Sequence, residues 1–275
     1  MMRLIVTSQK DLAGVNIYNY LSDQNDFKEI KEFEKCSVFA KDKLRLIATQ
    51  KSQVNAGHLD SYFNAEYYIF ASRHRSASNR PVLTVHTPGN FLASADLGGQ
   101  PKDLAFCNAV AVKKALQELL FMKNKLKLKY DVCLEGTHHG PTELRRPVLF
   151  VEVGSTKEQW NDDLAVKAVS MAVLAAAENS NVNQIGIGIG GNHYAPLHTR
   201  LVLQTDIALG HIIPSYIIDE LTIDMFHQAV SKSNATFGFL DWKGMNKSQR
   251  EKIKEFASCI DLPLKRGRDF LKSKK

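Results

Sequence analysis

The sequence predicts an α/β protein, a single domain over residues 1–275 that folds as a sandwich around a mostly parallel or mixed sheet. Short apolar runs recur along the whole chain, and each is closed by Gly, Pro, Ser or His. Longer stretches between several of these runs carry apolar residues at helical spacing, and strands that alternate with helices are typical of layered α/β folds. No Pro/Ser-rich linker divides the chain, so one domain is favoured.

Eight runs are predicted to be strands, because they are short and apolar at most positions, as strands buried on both faces are. These runs are residues 4–7, 44–49, 68–71, 82–85, 131–134, 148–153, 185–189 and 236–240. Four stretches are predicted to be helices, namely residues 105–125, 157–179, 222–232 and 247–260. Ser155 is the expected N-cap of the second helix. Residues 91–103 and 190–214, both rich in loop-forming residues, are predicted to be loops.

Composition narrows the class of protein. A hydrophobic share of 44% and a charged share of 24% are ordinary for a globular protein. The net charge of +7 favours a polyanionic partner, with nucleic acid ahead of a membrane surface. The longest apolar stretch, residues 164–177, contains Lys167 and is too short to span a bilayer. No membrane attachment is expected.

The four cysteines are scattered and form no C-x-x-C pair, which argues against a cysteine zinc site and against a disulfide scaffold. Free thiols fit a reducing compartment. No apolar stretch typical of a signal peptide opens the sequence. We therefore expect a cytoplasmic protein without a disulfide-linked partner, acting as a monomer.

The histidines follow predicted strands. Ligands of open α/β sheets bind at the carboxyl ends of strands, so we expect these side chains to converge on one rim if the strands are neighbours. Imidazole with carboxylate is a ligand set that suits zinc, and three glutamates lie nearby in the sequence. The histidines are His74, His86, His138, His139 and His193, and the glutamates are Glu135, Glu143 and Glu152. A hydrolase without metal, with Ser72, Ser76 or Thr87 as nucleophile beside a histidine, is the mechanistic rival.

The glycine run at 186–191 formally satisfies G-x-G-x-x-G. A dinucleotide-binding loop of this pattern should open directly into a helix, whereas Pro196 opposes a helix running through that point. A buried strand whose glycines allow close backbone approach is the better interpretation.

Basic residues form two groups that could follow a phosphate backbone, and binding of RNA through them would weaken steeply with salt. One group lies along and after the first predicted helix, and the other is the C-terminal tail, about 265–275, which is expected to fray. The groups are Lys113, Lys114, Lys123, Lys125, Lys127 and Lys129, and Lys265, Arg266, Arg268, Lys272, Lys274 and Lys275.

Six segments together resemble, in order and spacing, the archaeal and plant type of D-aminoacyl-tRNA deacylase. They are residues 71–74, 86–90, 137–143, 151–155, 188–196 and 241–244. The resemblance covers nearly the whole chain, and its most specific parts are His-His-Gly-Pro-Thr-Glu at 138–143 and His-Tyr-Ala-Pro at 193–196. One departure is Asn192, where the family pattern has glycine; asparagine tolerates positive φ better than most residues.

The resemblance implies hydrolysis of D-aminoacyl-tRNA to a free D-amino acid and tRNA, with Zn²⁺ as cofactor, on a phosphorylase/hydrolase-like fold related to peptidyl-tRNA hydrolase. The metal candidates are His74, His86, His138, His193 and Glu143. The catalytic candidates are Glu143, as general base, with His138 and His139. The substrate-binding candidates are Arg73, Asn90, Gly190, Gly191 and Tyr194. A non-catalytic tRNA- or RNA-binding protein and a metallopeptidase or amidase of the same fold remain as alternatives.

Overall fold

The fold is built on two main sheets and the helices that cover them. The structure is a computed structural model that describes residues 2–24, 26–178, 182 and 184–270. Its strands are β1 (Met2–Ser8), β2 (Lys28–Phe33), β3 (Cys36–Lys41), β4 (Leu44–Thr49), β5 (Ala65–Arg75), β6 (Val82–His86), β7 (Gly89–Asn90), β8 (Asp103–Leu104), β9 (Asp131–Leu134), β10 (Val148–Ser155), β11 (Gln184–Ile189), β12 (Ile207–Ile213), β13 (Phe237–Leu240) and β14 (Leu264–Arg266). Its α-helices are α1 (Leu12–Gln24), α2 (Ala109–Leu126), α3 (Lys157–Trp160), α4 (Asp163–Ala176), α5 (Pro196–Gln204), α6 (Ser215–Ile218), α7 (Ile223–Ser233), α8 (Lys247–Cys259) and α9 (Gly267–Phe270).

The larger sheet is mixed. Its eight strands lie in the order β2-β3-β4-β1-β5-β10-β6-β9. Strands β4, β1, β5 and β10 are parallel, whereas β6 runs antiparallel to β10 and parallel to β9. The antiparallel β2–β3 and β3–β4 pairs extend the other edge. The predicted α/β class with a mostly parallel or mixed sheet is confirmed.

The smaller sheet, β12-β11-β13-β14, is parallel throughout. One buried apolar cluster contains residues of both sheets and of the helices between them, such as Ile69, Val151, Leu209, Phe239 and Ala115. The second sheet is thus packed onto the first through a shared core. No helix in the described ranges is long and apolar enough to cross a lipid bilayer.

The predicted helix over 157–179 is two helices. The Asp162 side chain accepts hydrogen bonds from the backbone N–H groups of Leu164 and Ala165 at 3.0 and 3.2 Å, so it caps a new helix, α4. The short α3 begins after Thr156, which forms a capping box with Gln159, and not after Ser155. Residues 179–181 lie outside the described residues.

The prediction of a loop over 190–214 is wrong, because this stretch contains α5 and β12. Pro196 occupies the first turn of α5, where its fixed φ and missing N–H are tolerated, so it starts a helix instead of excluding one. Strand β12 is buried at all seven positions. The strand is not recognisable in the sequence, because Gly210 and His211 in its middle interrupt the apolar run.

The described part of the C-terminal tail is ordered. Residues 264–266 form β14, and α9 follows at once. The prediction of a frayed tail is therefore wrong for residues 265–270, whereas residues 271–275 lie outside the described residues. The Lys265 ammonium lies 4.9 and 5.1 Å from the centroids of the Phe237 and Phe270 rings, and these cation–π contacts help to hold the segment in place.

Candidate active site

A polar cluster lies on one face of the larger sheet. Glu152, near the carboxyl end of β10, is opposite Ser72 on β5 and Thr84 on β6. Two residues away in each direction along β10, Gly154 is opposite His74 and Phe150 is opposite His86. Because alternate residues of a strand share a face, these side chains lie side by side.

The predicted convergence of the histidines is present, but the expected reason for it is wrong. Strand β6 is antiparallel to β10, so the carboxyl ends of β5 and β6 point in opposite directions. His74 and His86 therefore meet across a face of the sheet and not at a common rim. Sequence alone does not reveal this reversal of one strand.

A second segment, residues 135–139, follows β9 and closes over this face. The Gly136 N–H donates to the His193 carbonyl at 2.7 Å, and the Thr137 N–H donates to the Ile212 carbonyl at 2.9 Å. The segment is thus bound to the smaller sheet, while β9 itself belongs to the larger one. It brings His138 and His139 over the polar face and ties the two sheets together at the site.

Glu135 is the centre of the cluster. Its Oε1 lies 3.2 Å from His74 Nδ1 and 3.3 Å from His193 Nε2, and its Oε2 lies 3.2 Å from His86 Nδ1. The side chain is fully buried. Among the described residues, neither carboxylate oxygen finds a partner in hydrogen-bond geometry. Such a group carries a large desolvation penalty, so it is typical of a site that holds a ligand.

The remaining imidazoles surround this carboxylate. The His86 ring stacks on His138, with centroids 4.3 Å apart, and its Nε2 lies 3.2 Å from His139 Nε2. The Nδ1 atoms of His138 and His139 contact the Gly136 and Gly140 carbonyls at 2.9 and 2.6 Å. An Nδ1–H that donates to a carbonyl leaves Nε2 with a free lone pair.

Electrostatics separate the charged groups of the cluster from the neutral ones. Burial opposes ionisation of Glu135, but the imidazoles of His193, His86 and His74 outweigh it and hold its pKa well below the usual value. Burial likewise disfavours a charged His74, yet the carboxylates of Glu152 and Glu135 raise its pKa to about 10.

At the two adjacent histidines burial is not outweighed, so their pKa values shift in the direction opposite to that of His74. Burial first, and then the neighbouring His86, lower the pKa of His138 well below its ordinary value and that of His139 to about 4. Both rings are therefore neutral at pH 7. Neutral imidazole is the form that binds a metal ion.

Of the predicted substrate-binding residues, Tyr194 reaches the cluster, its hydroxyl lying 3.1 Å from His74 Nε2. Arg73 lies on the opposite face of β5, exposed, with its guanidinium 5.4 Å from the Trp160 ring. The buried Asn90 amide donates to the Gly98 and Gln100 carbonyls at 2.8 and 3.1 Å and holds their loop.

The two glycines of this set follow β11. Gly190 and Gly191 have φ of 88° and 81°, and a Cβ on either would lie 2.9 Å from an atom of Asp241. They let the chain turn toward His193 while remaining against that aspartate. Asn192 is not among the residues with positive φ, whereas Ala195 is, at 41°.

The structure does not bring Glu143 into the cluster. Its side chain is exposed; one oxygen accepts from the Thr142 N–H at 2.9 Å and the other lies 3.4 Å from the Gln100 amide. Glu135 and Glu152 are the carboxylates inside the cluster. Nothing in their spacing to the histidines distinguishes them from Glu143, so only the strand register separates the three.

The three possible nucleophiles have other partners. The Ser72 hydroxyl donates to Glu152 Oε1 at 2.6 Å, and Thr87 Oγ1 lies 3.1 Å from Cys107 Sγ. Ser76 is bonded to Ser78 near the surface. None of these contacts joins a hydroxyl to a histidine, as activation of a nucleophile would require.

Three overlapping groups in the cluster have donor atoms close enough for metal binding, within 4.8 Å of one another. They are His86 with His138 and His139, Glu135 with His138 and His193, and His74 with Glu135 and Glu152. The residues therefore fit a zinc ion: the neutral imidazoles of His138 and His139, buried carboxylates, and Glu135 oxygens without good hydrogen-bond geometry. A buried cluster of this composition is typical of metal-assisted hydrolases.

Comparison with known proteins shows the family. The sequence profile described as D-aminoacyl-tRNA deacylase matches residues 61–265, and the chain belongs to that family. A relative named D-aminoacyl-tRNA deacylase from Methanosarcina mazei is 37% identical over 268 residues, 94% of this chain and 90% of the relative. Another of that name from Archaeoglobus fulgidus is 35% identical over 283 residues, 100% of this chain and 97% of the relative. A crystal structure described as a conserved protein of unknown function, AF0625, superposes with a TM-score of 0.91 and 32% identity, over 99% of this chain and 97% of that one.

Proposed function

We propose that this protein hydrolyses the ester bond of D-aminoacyl-tRNA to release a free D-amino acid and tRNA, with zinc held in the His/Glu cluster. Membership of the D-aminoacyl-tRNA deacylase family and the names of the relatives support the reaction. The single observation that carries the chemistry is Glu135, a buried carboxylate with three imidazole nitrogens within 3.3 Å, none of them in good hydrogen-bond geometry.

Glu135, His138 and His193 supply the ligands in this proposal, with His86 and His139 beside them. When bound there, zinc would act as a Lewis acid on an ester carbonyl and acidify water. An aminoacyl ester is already reactive, so modest activation suffices. Glu143 has no part in this ligand set, because its exposed carboxylate is engaged with Thr142 and Gln100.

His74 and Tyr194 are suited to serve the leaving group. The His74 imidazolium is held at Nδ1 by Glu135 and Glu152, at 3.2 and 3.5 Å. Its Nε2 is directed at the Tyr194 hydroxyl, 3.1 Å away. A proton passed from Nε2 to this hydroxyl would let Tyr194 protonate the ribose oxygen that leaves when the ester is cut. Ser72 keeps Glu152 in place through its hydrogen bond.

Metal content and turnover test the proposal together. We expect purified protein to contain zinc by elemental analysis and to lose D-tyrosyl-tRNA hydrolysis on exhaustive chelation. Glu135→Gln replaces a charged ligand by a neutral amide, so it should lose most of the zinc and, with it, most of the turnover of D-tyrosyl-tRNA. Glu143→Gln is the matched control and should keep both. Full activity of metal-stripped protein would refute the zinc site.

Substrate choice separates this reaction from its alternatives. A metallopeptidase or amidase would cut peptides faster than tRNA esters, and a binding protein would turn over neither. We further propose that the enzyme is cytosolic, since the four cysteines are free thiols and the substrate is tRNA. We propose separately that it acts as a monomer, which the elution volume in size-exclusion chromatography would test.

A further inference from the structure

A cavity of about 590 Å³ lies beside the cluster, on the far side of Tyr194. Its volume is that of a small-molecule site, for which about 300–1,000 Å³ is usual. Leu120 of α2, Leu203 of α5 and Pro196 give it an apolar wall. Arg80, Lys123 and Arg200 also line it.

The charge of this cavity is positive. Three cationic side chains face one lining carboxylate, Asp131, which is engaged with Arg80 through a 2.6 Å contact. Arg200 and Lys123 make no ion pair among those found in the described part of the chain. Just beyond Lys123 the chain adds three exposed lysines, at 125, 127 and 129. An apolar wall with a cationic rim suits a nucleotide, whose base is apolar on its faces and whose phosphate is anionic.

Tyr194 connects the cavity to the cluster. Its ring lines the cavity, while its hydroxyl lies 3.1 Å from His74 Nε2. In the proposed reaction the leaving atom is an oxygen of the terminal ribose, so the nucleotide carrying that ribose must lie next to Tyr194. The cavity is directly adjacent to that position and has the charge that its phosphate requires.

We propose that this cavity binds the 3′-terminal nucleotide of the tRNA, with the base against Leu120 and Leu203 and its phosphate near Lys123 and Arg200. The inference rests on the proposed function, because it takes the tRNA ester as substrate. The basic residues at the end of α2 then continue the track for the preceding nucleotides. The cavity would thus fix the ribose ester relative to the cluster.

Binding of a 5′-phosphorylated CCA trinucleotide, measured by calorimetry, tests this directly. Lys123→Glu and Arg200→Glu should each weaken binding by about ten-fold or more, and should lower the salt slope of tRNA binding by roughly one unit for each phosphate that is no longer bound. Lys114→Glu is the matched control for the trinucleotide: it lies on the same helix, beside Glu118 and outside this cavity, and should bind CCA normally. Unchanged binding in both cavity variants would overturn the proposal.

Turnover provides a second arm. On D-tyrosyl-tRNA both variants should raise KM and leave kcat nearly unchanged. On D-tyrosine methyl ester, which has no nucleotide, they should match the wild type. A similar loss on both substrates would overturn the proposal, since the cavity would then serve the amino acid. The trinucleotide measurement needs neither zinc nor turnover, so failure of the metal site and failure of this subsite give different results.

Discussion

Glu152 shows how strongly one residue of this site depends on its neighbours. It lies in a strand that is buried at all eight positions, where an unpaired carboxylate would cost several kcal/mol. Its Oε1 accepts from the Ser72 hydroxyl at 2.6 Å, and its Oε2 lies 3.5 Å from His74 Nδ1. The carboxylate is therefore compensated by the groups that it orients. Substitutions of Ser72 or His74 should therefore affect activity by changing the position and the charge of the Glu152 carboxylate.

Ser72→Ala should keep measurable activity. The missing hydrogen bond has a charged acceptor and is worth about 1.5–3 kcal/mol, or roughly a 10- to 100-fold effect on rate if all of it is felt in the transition state. Loss of a true nucleophile would instead cost about 10⁶-fold. Steady-state kcat on D-tyrosyl-tRNA decides between them, with Ser76→Ala as the surface control. A fall approaching the larger figure would restore the Ser/His mechanism.

Gly154→Ala should damage the site by displacing His74. A Cβ at this position would lie 2.6 Å from His74 Cβ and 2.7 Å from the His74 carbonyl oxygen, both on an adjacent strand that cannot easily move. We expect a loss of about 1–3 kcal/mol in the free energy of unfolding by urea, and a lower kcat. At Gly57 the three atoms nearest to an added Cβ all belong to the exposed Glu143 side chain, at 3.2–3.3 Å, so Gly57→Ala is the control. Equal stability of the two variants would contradict this account.

At the residue scale, the sequence identifies which histidines belong to the site but not which glutamates do. Five histidines that follow strands are identified by their clustering, and the structure brings all five together. Glu143 looks as suitable as Glu135 because both are near histidines in the sequence. Which of them is buried depends on the register of β9 against β6 and on the turn at 140–141, and neither follows from residue type.

Among the elements, β14 has a role that the charge of its residues does not suggest. The Arg266 guanidinium lies over the Trp242 ring, 3.2 Å from its centroid, and the Arg250 guanidinium lies 4.7 Å from the same centroid. Arg250 Nε also donates to the Trp242 carbonyl at 2.9 Å. Two cations thus attach the C-terminal strand and α8 to the loop after β13.

Arg266→Ala should therefore reduce stability. A cation–π contact is worth about 0.5–2 kcal/mol, and a decrease of this size should appear in the free energy of unfolding by urea. Lys243→Ala removes an exposed charge next to Trp242 and should leave stability unchanged. If Arg266→Ala keeps full stability but lowers the salt slope of tRNA binding, the tail serves the substrate instead.

Elements are predicted well where a short apolar run stands between clear breaks. The predicted strand at 131–134 has the bounds of β9, and the strand and helix at 82–85 and 247–260 are within one residue of β6 and α8. Strand β2 is missed, because five of its six residues are exposed and it pairs along one edge only. An edge strand buries little, so its sequence lacks the apolar pattern by which strands are recognised.

For the molecule as a whole, the free energy of unfolding should depend on pH through the buried His198. His198 is fully buried on α5, 5.5 Å from the Phe239 ring, and burial lowers its pKa from 6.5 to about 4. Between these values the unfolded chain binds a proton that the folded chain does not. Folding stability therefore falls as the pH falls through this window.

His198→Leu should make this pH dependence shallower. Near pH 5 the slope of the free energy of unfolding against pH should decrease by about 1.4 kcal/mol per pH unit, which corresponds to one proton fewer taken up on unfolding. The exposed His227 on α7 offers the control, His227→Leu, whose slope should remain closer to that of the wild type. Urea denaturation between pH 4.5 and 7 measures both. Parallel slopes for wild type and His198→Leu would show that another group controls acid unfolding.

Because Gly136 and Thr137 hydrogen-bond to His193 and to β12 of the smaller sheet while β9 pairs with the larger, the cluster is complete only after the two sheets have met. Its members range from His74 to His193, and such distant pairings form late, because the entropy of closing the loops between them must be given up first. During refolding, helical and sheet signals should therefore recover before turnover does. A chain whose two sheets have not yet docked would leave D-aminoacyl esters uncut. The appearance of activity would therefore report that docking is complete.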